Sequence, residues 1–145
     1  MMKIRNILMV MCLLMGTMAG EAKSVKVPYL YMFGFSASFK DSVVYFTDVQ
    51  DVQNAWIDKK TKFLLGRDNY SYQMKQYFTE HQVQDRVCMV FYATSRSKAE
   101  KQLQKMKKKY VADMQRGKKK PAVSYEVRYL SEQDFKFEAI DMSEE

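Results

Sequence analysis

From Tyr29 to Phe39 every odd position is apolar: Tyr29, Tyr31, Phe33, Phe35, Ala37 and Phe39. Gly34, Ser36 and Ser38 fall among the even ones. A period of two places those rings on one face of an extended chain, so the segment reads as a strand whose aromatic face must be covered. Lys40-Asp41-Ser42 is turn chemistry, and Val43, Tyr45, Thr47 and Val49 then resume the alternation. Residues 29–49 therefore read as an antiparallel hairpin.

Beyond it, Trp56-Ile57 and Phe63-Leu64-Leu65 flank Asp58-Lys59-Lys60-Thr61, a small hairpin or an ordered loop ended by Gly66. Tyr70, Met74, Tyr77 and Phe78 make a helical stripe, with Asp68 or Asn69 available as its cap. Val87-Cys88-Met89-Val90-Phe91-Tyr92-Ala93 is apolar on both faces, the pattern of a central strand covered on both sides. Ser95 or Ser97 then caps a helix with the stripe Ala99, Leu103, Met106, Tyr110 and Met114, running to about Arg116 before Gly117. Lys118 to Pro121 is a connector. Residues 124–130 return to a strand with Tyr125, Val127 and Tyr129 inward, and Phe135, Phe137 and Ala139 alternate once more. The expected fold is α+β or α/β: a small mixed sheet with two helices in the order β-β-α-β-α-β. Its β-α-β unit over 86–130 is expected to be parallel. The helices share one face of the sheet or are split across both.

At 145 residues the chain suits one ordinary domain. Five Gly and two Pro argue against a disordered or collagen-like chain. Lys3 and Arg5 precede an apolar run from Ile7 to Ala19, and small residues follow. This is the pattern of a secretory signal, too short to span a bilayer comfortably. Residues 1–22 are thus expected to be a cleaved signal peptide and 23–145 one domain with an acidic, frayed C-terminus. The mature protein is expected in the periplasm or outside the cell, with no transmembrane segment. Cleavage leaves Cys88 as the single cysteine, so the core has to hold the domain without an internal disulfide.

Loss of Lys3, Arg5 and Glu21 lowers the net charge from +7 to +6. That charge is unevenly placed, because residues 96–120 carry a large basic excess interrupted only by Glu100 and Asp113. At about 100° per residue, Lys98, Lys101, Lys105, Lys108, Lys109 and Arg116 fall in one sector roughly opposite the apolar stripe. Such a face either binds an anionic lipid, polysaccharide or acidic protein, or serves only to keep the helix solvated. The near absence of Arg and of interleaved aromatic rings argues against nucleic acid as the partner.

Other chemistry is sparsely represented. His81 suits a helix C-terminus, and one His with one Cys cannot build a Cys/His zinc site. Cys88 lies in an apolar strand, where a thiol is usually inert. Asp48, Asp51, Asp58 and Asp85 match no metal-loop spacing, and no Gly-rich phosphate loop or nucleophile motif is present. No cofactor, metal or catalytic residue is expected. The ten Tyr offer another kind of site: Tyr29, Tyr31 and Tyr72 are candidates for an aromatic groove binding a glycan or peptide, Tyr72 because it falls off its helix's apolar stripe.

The stretch from Gly34 to Asp48, with Trp56-Ile57-Asp58 and Gly66-Arg67 after it, resembles small exported proteins of Gram-negative anaerobes to which no activity is assigned. The resemblance implies export and carries no catalytic residue. The element order is also loosely similar to the SPOR-type peptidoglycan-binding domain, without a shared motif. The leading expectation is a non-enzymatic exported binding module that meets an anionic partner through its lysine face. A glycan- or peptide-binding groove is the alternative, and a small hydrolase built on His81 or the aspartates is a third.

Overall fold

The aromatic run forms a strand longer than its periodicity implied: β1 covers Ser24–Ala37. A computed structural model describes residues 23–111 and 124–143. The expected signal segment, Cys12, Met114, Arg116, Gly117 and the Lys118–Pro121 connector lie outside them.

The sheet has five strands, arranged around β1. β2 (Val43–Thr47) and β3 (Gln50–Asp58) both pair antiparallel with it. So does β4 (Val87–Ala93), along Tyr31 to Ala37. Tyr31 and Met32 bond to both β3 and β4, and Phe35 and Ser36 to both β2 and β4. A strand has only two edges, so β4 holds one and β2 and β3 follow each other along the other. β5 (Glu126–Leu130) adds to β2 in parallel.

The join between β2 and β3 along β1 is irregular by one residue. Phe35 pairs with Phe46 but Met32 pairs with Gln50, so one side advances by one residue more than the other. That extra residue is a β-bulge. Thr47 closes it, its Oγ1 accepting the Gly34 N–H at 2.8 Å in the interior. The segment flanking residues 58–61 does form a small hairpin, in which the end of β3 turns back so that Ile57 bridges Leu64 antiparallel; residues 50–55 before it are strand as well. Asp58 shapes the turn by accepting the backbone N–H groups of Lys60 and Thr61.

Alternation along β1 divides the core in two. Leu30 and Met32 join Tyr45, Val52, Val90 and the buried stripe Tyr70, Met74 and Phe78 of α1 (Arg67–Glu80). Phe33 and Phe35 point the other way, to Val44, Phe46 and the Ala99/Leu103 face of α2 (Arg96–Tyr110). The helices therefore lie on opposite faces, which decides between the two arrangements the sequence left open. Close approach of α1 depends on Gly34, where a Cβ would stand 2.6 Å from Met74 Sδ. Ser95 caps α2 as expected, accepting the Lys98 N–H. α1 departs from expectation: neither Asp68 nor Asn69 caps it, and Gly66 fills the N-cap position at φ 70°.

Several other expectations are corrected. β4 is an edge strand, and β1 is the central one. The apolar character of β4 comes from helices covering both faces around Val90 and Ala93, while Val87 and Met89 remain 48% and 44% exposed. β4 and β5 do run parallel, each being antiparallel to β1 or parallel to β2, but β1 and β2 separate them. Phe39 is fully exposed in the turn, and Tyr129 is half-exposed, with Leu130 the buried residue of β5. Residues 131–143 form no strand. They make a strap on the α1 side, with Phe135 and Phe137 buried. The strap is clasped by amides: Gln50 Nε2 donates to the Phe135 carbonyl and its Oε1 accepts the Phe137 N–H. Gln73 does the same to both backbone groups of Glu138, and Tyr70 Oη accepts the Ile140 N–H.

Candidate functional site

Burial of Ala99 and Leu103 fixes which way α2 faces. Its basic residues then divide by use. Arg96 turns toward the sheet, donating to the Val49 carbonyl, pairing with Asp51 and lying over the Tyr31 ring at 5.4 Å. It also holds Glu100, the helix's one acid, at 3.6 Å. Lys107 lies over Tyr129 at 5.0 Å. Lys98, Lys101, Lys105 and Lys108 are exposed, and among the described residues none is in an ion pair. Their spacing of i, i+3, i+7 and i+10 makes one row about 15 Å long at 1.5 Å per residue. Ser97, Glu100, Lys101, Gln104, Lys105 and Lys108 line a shallow depression on this surface. Lys109 is exposed beside the row, and Arg116 lies outside the described residues.

The row is fixed in place because the side chains beneath it are packed. Tyr110 packs against Phe35 with ring centroids 5.0 Å apart, and Met106 and Tyr110 both close the core under α2. Glu100 is turned to Arg96, its i,i+4 partner, and has no lysine three or four residues away on the helix to neutralise.

The aromatic candidates do not gather. Tyr31 packs with the α2-side core under Arg96, and Tyr29 is exposed two residues before it on β1. Tyr72 projects from α1, which covers the other face. The sheet lies between them, so no single groove contains all three. Several other tyrosines are structural: burial pushes the Tyr70 phenol up from its ordinary value, and Tyr92 Oη accepts the Leu64 N–H.

The titratable candidates are also dispersed into structural roles. His81 forms the C-cap of α1, with its Nδ1–H donating to the Tyr77 carbonyl at 2.8 Å and its ring 4.0 Å from that of Tyr77. Asp51 holds Arg96 and Asp85 pairs with Lys40. Backbone N–H groups of Thr61 and Lys60 hold the Asp58 carboxyl below its ordinary range. Cys88 is half-buried beside Ser36, and burial pushes its thiol up, away from the nucleophilic thiolate. Among the described residues no three His, Cys, Asp or Glu side chains converge on a metal-sized site.

Sequence reasoning missed Arg86, which braces the turn end of the β1–β2 hairpin. Its guanidinium is buried and donates to Ser36 Oγ, the Ser36 carbonyl, the Val43 carbonyl and the Asp41 carboxylate. It lies over Tyr45 at 5.0 Å. Asp41 is held below its ordinary range first by the Val43 N–H and then by this guanidinium. A lone Arg before an apolar strand gives no local sign of such a role, because every partner is far away in sequence.

No protein-family model matches this chain, and no curated protein or solved structure is significantly similar to it.

Proposed function

We propose that this protein is an exported, non-catalytic binding module that docks on an anionic surface through the α2 row of Lys98, Lys101, Lys105 and Lys108. The observation that carries this reading is the row itself: four exposed ammonium groups on a packed helix, with the neighbouring acid and the other basic groups turned to partners of their own. A lysine near an anionic membrane surface contributes about 1 kcal/mol. Four acting together therefore amount to roughly a thousandfold in affinity at low ionic strength. Point charges on flexible stems suit a surface of anionic headgroups better than planar, bidentate recognition of one ligand.

The test is co-sedimentation with phosphatidylglycerol-containing vesicles against purely zwitterionic ones, across a salt series. Wild type should bind the anionic vesicles and release as the Debye length shrinks. Replacing the four lysines by Glu should abolish binding and leave the melting temperature nearly unchanged, since none of them packs in the core. Equal binding by the variant would refute the reading. Retention on a sulfated polysaccharide but not on vesicles would move it to another class of partner.

A further inference from the structure

We propose that the open edge of β4 is the pairing surface for a second copy of this chain, joined about a two-fold axis at Cys88 into one continuous sheet. Among the described residues nothing pairs with this edge. Sheet edges are ordinarily blunted by charged residues, Pro or bulges, and the strand Val87–Ala93 contains none of these. Among the described residues only the Arg67 guanidinium hydrogen-bonds to its backbone, donating to the Val90 carbonyl. Val87 and Met89, both on the face whose partners in β1 are Ala37 and Phe35, are left half-exposed side by side.

Self-pairing accounts for that pair of residues. With Cys88 opposite Cys88 in an antiparallel ladder, Val87 of each copy stands across from Met89 of the other. Both exposed apolar side chains are then covered, twice over, by cross-strand contact.

The other face carries a matching symmetry. Arg67 reaches Val90 while Tyr72 and Lys75 line a depression with Arg86, Val87 and Cys88, so α1 runs antiparallel to β4 beside its edge. The same axis would set two α1 helices antiparallel. Asp68 and Lys75 stand at equal distances either side of Ser71–Tyr72, both are exposed, and among the described residues neither is in an ion pair. The axis brings each Asp68 toward the other copy's Lys75, as an isologous interface requires. An unrelated strand adding to the edge would gain nothing from charges placed symmetrically about the helix midpoint.

The experiment is sedimentation equilibrium of the chain, expressed from its full sequence and purified from the soluble fraction, with folding checked by circular dichroism. Wild type should dimerise at concentrations up to about 200 µM, and M89K should raise the dimer dissociation constant at least about tenfold by putting a charge opposite Val87. D68K and K75D should each weaken the dimer, and D68K/K75D together should recover it. A wild type monomeric throughout that range overturns the proposal. So does a dimer indifferent to M89K, or a double charge swap no better than its single variants.

Discussion

Two glutamines clasp the C-terminal strap with the same chemistry in different surroundings, and this difference has a measurable consequence. Gln50 is fully buried and its two bonds, to the Phe135 carbonyl at 2.9 Å and from the Phe137 N–H at 2.8 Å, lie in the interior. Gln73 makes the equivalent pair to Glu138 at 2.8 and 3.0 Å, exposed to water. Replacement of either by Met keeps an unbranched side chain of similar length and removes both bonds. At Gln73 water replaces the lost partners, and the cost should stay below about 1 kcal/mol. At Gln50 a backbone carbonyl and an N–H are left buried and unpaired, each costing about 1–3 kcal/mol. With partial relaxation of the strap, Q50M should lose roughly 2–4 kcal/mol, a large fraction of the about 5–15 kcal/mol that stabilises a domain. Urea denaturation of both variants measures the difference. Limited chymotrypsin digestion provides a second readout, since Phe135 and Phe137 should be cut early in Q50M and remain protected in Q73M. Equal losses in the two variants, or a protected strap in Q50M, would refute the assignment of Gln50 as the buried clasp.

Three further outcomes are expected. T47V is nearly isosteric but deprives the buried Gly34 N–H of its acceptor, so thermal denaturation should show a loss of about 1–3 kcal/mol. S95A removes the side-chain acceptor for Lys98 N–H, and urea titration should register about 1 kcal/mol. Asp41 and Asp58 are held below the ordinary aspartate value of 3.8. Their contribution to stability is therefore present above that value and is lost as pH falls toward their lowered folded values. The melting temperature should drop in that acidic range, and D58N should drop less steeply than wild type.

Strands and helices were legible where a period in the sequence matched one buried face. Tyr31, Phe33 and Phe35 of β1, the Tyr70/Met74/Phe78 stripe and the Ala99/Leu103 stripe all pack as their spacing requires. The outward lysine row followed from the same arithmetic, because burying one side of a helix exposes the other. Legibility failed where distant pairing partners, and not side-chain alternation, set the structure. The alternation through Val43, Tyr45 and Thr47 runs on without marking the bulge, because Val44 and Phe46 are buried as well, and the apolar run of β4 carries no sign of its edge position. The aromatic-groove candidates failed for a related reason: spacing along the chain says nothing about which side of a sheet a helix will cover.

Most element types, the inward stripes and the concentration of charge on α2 were thus legible from residue spacing alone. These are local properties, set by side-chain periodicity and caps within a few turns. That the helices take opposite faces, that β1 is central, and that Arg86 and Gln50 are buried among polar partners emerges only once the chain is folded. The Arg86 and Gln50 sites depend on groups 43 to 87 residues apart meeting in space. A buried polar side chain is tolerated only where its partners converge on it, and no local pattern in the chain records that convergence.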